Sequence, residues 1–196
     1  MRRDVLEALR RLGKTYYTTA DLAKVTGHSA GSLRVFLARW TKAGLLKRIG
    51  TGLYGLPDVA PDLERLGNAY YFPSYLSFES ALARYGVQSQ MPYALTFATS
   101  RRSRRLKLAD TEIEYRQLRQ DLFFGYEQQD SLYVAWPEKA LADLLYLVSL
   151  GRASCDIRAL NLKPLDRSRF SKLIARFPER TQKLAAGSGL PVRVRS

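Results

Sequence analysis

The chain predicts an α+β protein in two parts, and three observations carry that class. The first 57 residues hold three segments of helical hydrophobic period followed by a glycine-tipped pair of short extended segments. Pro57-Asp58-Val59-Ala60-Pro61 then interrupts both periods with two prolines in five residues. From there to Ala135, runs rich in aromatic and β-branched residues read as strands, before helical spacing returns at Pro137. The expected organisation is a small N-terminal domain over 1–57, a mixed α/β domain over 62–186 and a basic tail over 187–196.

In the N-terminal part, Val5, Leu6, Leu9 and Leu12 recur at helical spacing and mark a first helix over residues 2 to 12. Lys14 to Tyr17 is a short extended piece, of which Tyr16 or Tyr17 is placed to join the later hairpin as a third strand. Thr19 is the expected N-cap of a second helix with Leu22 and Val25 on its apolar side, and Gly27 stops it. Ser29 restarts the chain as the cap of a third helix of about four turns, whose Leu33, Phe36, Leu37 and Trp40 fall on one buried face. Gly44 ends that helix. Leu45 to Ile49, a turn at Gly50-Thr51-Gly52 and Leu53 to Leu56 then form a hairpin whose tip is expected to be too small to pack on anything.

The order helix, helix, longer helix, basic hairpin is that of a winged helix-turn-helix. The face of the third helix opposite the apolar one carries Gly31, Ser32, Arg34, Val35, Arg39 and Lys42, small residues first and cations later. Such a face admits the backbone into a major groove while arginine and lysine reach base edges and phosphates. The candidate DNA-binding residues are Ser29, Ser32, Arg34, Val35 and Arg39 on this helix, with Lys42, Lys47, Arg48 and Thr51 on the flanking phosphates. The alternative is a small three-helix domain whose charged face is merely solvated.

Charge favours a polyanionic partner. The net charge is +14, with a hydrophobic fraction of 46% that suffices for a packed core. Residues 1–57 hold 11 Lys+Arg against 3 Asp+Glu, residues 58–150 hold 10 against 12, and residues 151–196 hold 11 against 3. The excess therefore sits at the two ends, as positive surfaces and not as an even coat. Cys155 is the single cysteine, so no disulfide can form within the chain. The start, MRRDVLEALRRLG, is too charged for a signal peptide, and no run approaches the roughly 18 apolar residues of a membrane span. A cytoplasmic protein without membrane association is expected.

In the second part, Asp62 to Leu66 reads as briefly helical, and Ser77 or Ser74 caps a helix from Phe78 to Tyr85, ended by Gly86. Strands are expected at Pro92–Thr99, Thr111–Arg116, Leu122–Tyr126 and Leu132–Ala135, with a polar turn over Glu127 to Ser131. Arg101, Arg102, Arg104 and Arg105 read as a loop at a strand end, which either clamps phosphates or partner groups by bidentate hydrogen bonds or keeps a sheet edge soluble. Pro137 at a first helical position and Glu138 in the first turn begin a helix with Leu141, Leu144, Leu145 and Val148 as its buried stripe. Its main reading is core packing. Asp156 to Ala186 is a basic helical region broken near Pro164 and Pro178, with Arg167, Arg169, Lys172, Arg176, Arg180 and Lys183 repeating along it.

The winged helix followed by YYFPSYLSFESALARYGV, YALTFATSRRSR, DTEIEYRQLRQDLFFGY and VAWPEKALADLLYL resembles the AbiEi-type antitoxins of abortive-infection E toxin–antitoxin systems. The resemblance spans about residues 3 to 160, and its most specific parts are PSYLSFESAL and PEKALADLLYL. It implies a repressor that binds repeats in the promoter of its own antitoxin–toxin operon. It also implies neutralisation of a nucleotidyltransferase-fold toxin, by contact or otherwise.

Signs of catalysis are sparse. His28 is the single histidine and lies in the turn between two helices, and Cys155 has no histidine partner elsewhere. No metal or cofactor pattern is present in the sequence. A nuclease would have to use Glu112, Glu114 and Glu138, and no lysine follows them at the required spacing. Neither catalysis nor a cofactor is expected. The alternative from another class is a winged domain that binds protein.

Overall fold

A computed structural model describes residues 2–190 and divides the chain into two compact units. The architecture is mixed α and β, with one sheet in each unit. The first unit comprises the chain to Leu66 together with Lys107–Asp110, so it runs beyond the Pro57–Pro61 segment. Among the described residues no helix is long and apolar enough to cross a membrane.

The first unit contains helices α1 (Arg2–Arg11), α2 (Thr19–Thr26) and α3 (Ala30–Lys42) and strands β1 (Tyr17–Thr18), β2 (Lys47–Gly50) and β3 (Leu53–Gly55). The strands form an antiparallel sheet in the order β1-β3-β2, with Tyr17 opposite Tyr54. Leu9, Tyr17, Leu22, Leu33, Leu37, Trp40, Leu46 and Leu56 make its core. The Tyr17 hydroxyl donates to the Leu9 carbonyl (2.7 Å), which allows a buried phenol to fasten α1 to the sheet. Leu12, expected on the apolar face, is 47% exposed because α1 stops at Arg11 and the chain turns away at Gly13.

The cap of α2 is Thr18 and not Thr19. Thr18 keeps extended backbone while its hydroxyl accepts from the Asp21 amide (3.1 Å), and the Asp21 carboxylate accepts from the Thr18 amide (2.9 Å). This is a reciprocal capping box. Thr19 instead donates its amide to the Gly52 carbonyl, tying the start of α2 to the hairpin turn. Lys14 lies 2.8 Å from Asp21, and its hydrogen bond is the main cause that holds the Asp21 carboxyl down at about 2. A depressed carboxyl stabilises the fold above its ordinary value and loses that contribution as pH falls through its folded value. Asp21→Ala is expected to cost about 1 kcal/mol near neutrality. The difference from wild type should shrink as pH drops from about 4 to about 2, as read by thermal unfolding in a pH series.

The hairpin tip is not free of packing. Leu108 stands where a side chain at Gly50 would begin, 2.7 Å from an ideal Cβ, and the Ala109 amide donates to the Ile49 carbonyl (2.8 Å). Glycine at position 50 lets the Leu108 methyl approach this closely, and a larger residue there would have to displace it.

The second unit is built on a six-stranded mixed sheet in the order β6-β7-β5-β4-β9-β8. Its strands are β4 (Ser74–Leu76), β5 (Ala94–Thr99), β6 (Arg104–Leu108), β7 (Thr111–Gln117), β8 (Tyr126–Gln129) and β9 (Leu132–Ala135). Strands β5 and β7 are parallel, as are β4 and β9; β4 runs antiparallel to β5, and β8 to β9. Helix α4 (Leu63–Tyr70) leads in, α5 (Phe78–Arg84) packs on β5, and α6 (Pro137–Ser149) packs on α5, α7 (Arg167–Ile174) and α8 (Glu179–Gly187). Covered on several sides, α6 buries every residue from Glu138 to Leu147, well beyond the expected stripe, while Val148 is only half-buried.

Two strand expectations are corrected. Arg104 and Arg105 lie in β6, an edge strand with cations on its exposed positions, and not in a loop. No strand covers Leu122–Gly125: a single 3-10 turn spans Gln120–Leu122, and β8 takes up Tyr126–Gln129, whose Glu127–Gln129 read as turn because an edge position tolerates polar residues. The turn itself is only Asp130-Ser131, both with positive φ, as a two-residue hairpin requires. Ser77 caps α5 by position, without a side-chain cap bond. Of the expected tail, Gly187 closes α8 and Leu190 is buried, while 191–196 lie outside the described residues.

Candidate nucleic-acid interface

Helix α3 contains no acidic residue. Leu33, Leu37 and Trp40 are at most 6% exposed, and Ser32, Arg34, Val35, Arg39 and Lys42 occupy its exposed side. Ser29 precedes the helix in extended backbone, yet its hydroxyl makes no cap bond and meets the Ser32 hydroxyl instead (3.0 Å). The hairpin adds Lys47, Arg48 and Thr51, all exposed, with the Arg48 Nε reaching only the Gly50 carbonyl (3.4 Å). His28 packs its ring on Phe36, 4.9 Å between centroids, and Phe36 in turn on Trp40. This contact gives the histidine a packing role.

The acids of this unit are engaged elsewhere. Glu7 pairs with Arg3, Asp58 with Arg10, Asp21 with Lys14 and Asp62 with Arg65. The Arg10 guanidinium holds the Asp58 carboxyl below the usual carboxylate range. None of these partners lies on α3 or the hairpin, so among the described residues Arg34, Arg39, Lys42 and Lys47 have no acidic partner. Two clefts flank the helix, one of about 440 Å³ beside Val35, Phe36 and Arg39 and one of about 450 Å³ beside Arg34, Leu37 and Tyr54. An uncompensated cationic face of this kind attracts polyanions.

The four arginines of the second unit do not form one clamp. Arg101 lies over the Tyr71 ring, 4.2 Å from its centroid, and donates to the Phe72 carbonyl (3.1 Å). Arg102 is exposed and its carbonyl accepts from the Tyr71 hydroxyl. Arg104 approaches the rings of Tyr70 and Tyr71, while Arg105 pairs with Glu114 (3.0 Å). The C-terminal cations are likewise divided among α7, α8 and the turn between them. Arg169 lies over Trp136, Arg176 over Phe124 at 3.5 Å, and Lys183 pairs with Glu179.

The carboxylates weighed for a nuclease do not converge. Glu112 is exposed on β7, Glu114 is bound by arginines, and Glu138 is 2% exposed with one oxygen accepting the Asp166 amide (2.7 Å). No group of three or more histidine, cysteine or acidic side chains able to hold a metal occurs among the described residues. Burial pushes the Cys155 thiol up, away from the reactive thiolate.

One arrangement escaped the sequence reading. Lys139 and Asp143, one turn apart on α6, are fully buried and ion-paired. The lysine also donates to the Tyr75 hydroxyl (2.8 Å), and Asp143 accepts from Tyr75 and Ser77 (2.9 Å each). Three aromatic rings, of Tyr75, Phe124 and Phe177, surround the ammonium. Burial pushes the lysine down and the aspartate up, and their attraction opposes both shifts. The available signal was a Lys–Asp pair at i,i+4 within an otherwise nearly continuous apolar run.

No model of a known protein family matches the chain, and no curated protein matches it.

Proposed function

We propose that the first unit is a winged helix-turn-helix that binds double-stranded DNA, with α3 as recognition helix and the β2–β3 hairpin as wing. The observation that carries this reading is the acid-free exposed side of α3, whose cations have no acidic partner among the described residues while its apolar side is buried. Ser32, Arg34 and Arg39 approach base edges, and Lys42, Lys47, Arg48 and Thr51 hold phosphates.

With the resemblance of the second part to AbiEi-type antitoxins, the whole chain is read as a cytoplasmic, non-catalytic repressor of its own operon. In this reading it is also the antitoxin of a nucleotidyltransferase-fold toxin. Mobility shifts on DNA upstream of its own gene test the first half. Arg39→Ala is expected to lower affinity by about 1–3 kcal/mol and blur base preference, while Lys47→Ala weakens all sequences alike. Unchanged binding by both variants overturns the groove assignment. The exposed Val35 beside the cleft of Phe36 and Trp40 favours a second reading, a protein contact at the same face.

A further inference from the structure

Strand register brings three segments to one end of the six-stranded sheet. Ser74 of β4 lies opposite Thr99 of β5, so the chain entering β4 (residues 70–72) and the chain leaving β5 (residues 101–104) are neighbours. Strand β9 runs parallel to β4, with Leu76 beside Val134, which puts Tyr133 at the same end. Their side chains form one continuous row. The Phe72 and Tyr133 rings are 6.2 Å apart between centroids, and Arg101 donates to the Phe72 carbonyl (3.1 Å) while lying 4.2 Å from the centre of the Tyr71 ring. Arg104 lies 5.6 Å from that same ring and 5.7 Å from the Tyr70 ring. Tyr71 is buried, with its hydroxyl donating to the Arg102 carbonyl (3.1 Å), whereas Phe72 is 60% exposed and Tyr70 and Tyr133 are half-buried. Arg101, Arg102 and Arg104 are exposed, and none has an acidic partner among the described residues. Residues 67–76, 99–106 and 132–136 contain no aspartate or glutamate.

We propose that this surface binds a single-stranded nucleic acid, with a base stacked on Phe72 and the strand's phosphates held by the arginines beside it. Every base has a π-face, so an exposed ring serves as a platform indifferent to base identity. An exposed phenylalanine flanked by three cations, in segments free of acids, suits a polyanion that carries flat rings. An apolar protein partner would cover the ring and leave the guanidiniums without counter-charge. Arg101 and Arg104 are already steadied on tyrosine rings, so less order has to be imposed on them when the strand arrives. The surface lies wholly within the second unit and does not rest on the DNA reading of α3.

Fluorescence anisotropy of a labelled oligo(dT) of about 12 nucleotides, titrated with the full chain, tests it. Phe72→Ala is expected to weaken binding about tenfold with the salt dependence unchanged, and Phe72→Trp to retain it. Arg102→Gln combined with Arg104→Gln should weaken binding and make the salt dependence shallower. An abasic strand of equal length, which keeps the phosphates and lacks the rings, should bind about tenfold more weakly or worse. Arg152→Gln removes an exposed cation elsewhere in the unit and serves as the control for charge loss. Wild-type affinity in Phe72→Ala, equal binding of the abasic strand, or an Arg152→Gln loss as large as that of the double arginine variant overturns the proposal. A loss confined to Arg39→Ala places the strand on α3 and also overturns it, while leaving the reading of α3 intact.

Discussion

Replacing Lys139 by methionine is expected to lower the free energy of unfolding by about 3–5 kcal/mol, the largest single-residue effect anticipated for this chain. The lysine and Asp143 are fully buried, and the substitution strands a carboxylate whose remaining partners are the hydroxyls of Tyr75 and Ser77. Lys139→Met combined with Asp143→Leu removes both charges from the interior and should recover most of the loss, because the penalty belongs to the unpaired charge more than to the pair. Denaturant unfolding of the two variants checks this. Equal losses in the single and double variants would mean that packing, and not charge, determines the cost. The pH dependence supplies a second readout. Burial raises the folded pKa of Asp143, so protonation relieves the single variant, and its deficit should narrow as pH falls from neutrality toward the ordinary carboxylate range.

DNA affinity is expected to fall on the order of 100-fold between about 50 and 200 mM salt, if three or four of the exposed cations on α3 and the hairpin meet phosphates. The expected slope follows from counterion release, which scales with the number of phosphates neutralised and is indifferent to base sequence. Lys47→Ala should make the slope shallower by about one contact. A protein partner held at Val35 and Phe36 by apolar contact would show little salt dependence, so one titration series separates the two readings of this face. A flat series with DNA would remove the repressor proposal while leaving the buried pair untouched.

The elements legible in the sequence were those whose signal is local. The three-residue and four-residue spacing of Leu33, Leu37 and Trp40 forecast which side of α3 is buried, and Gly27 forecast the left-handed end of α2. Pro137 forecast the first turn of α6. Errors of one or two residues arose where neighbours compete for a role, as Thr18 and Thr19 do for the cap, since either hydroxyl suits it and only the hairpin contact of Thr19 decides. Edge strands were misread because their exposed positions accept arginine, glutamate and glutamine, residues that equally mark loops; β6 and β8 are the two cases. The candidate DNA-facing residues were nameable beforehand because an exposed cation on a helix follows from periodicity alone.

By itself the sequence determined the helical periods, the glycine and proline stops and the placing of positive charge at the two ends of the chain, because each depends on residues within a few positions of one another. The tertiary structure alone decided which charges are neutralised. Glu114 binding Arg105 and Arg116, Asp143 binding Lys139, and the lack of an ion-paired acid at Arg34 and Arg39 among the described residues all depend on approaches between side chains in three dimensions. Coulomb attraction and desolvation act through space and fall off over a few ångströms, so the sign of a residue is written in the chain while its partner is set by the fold.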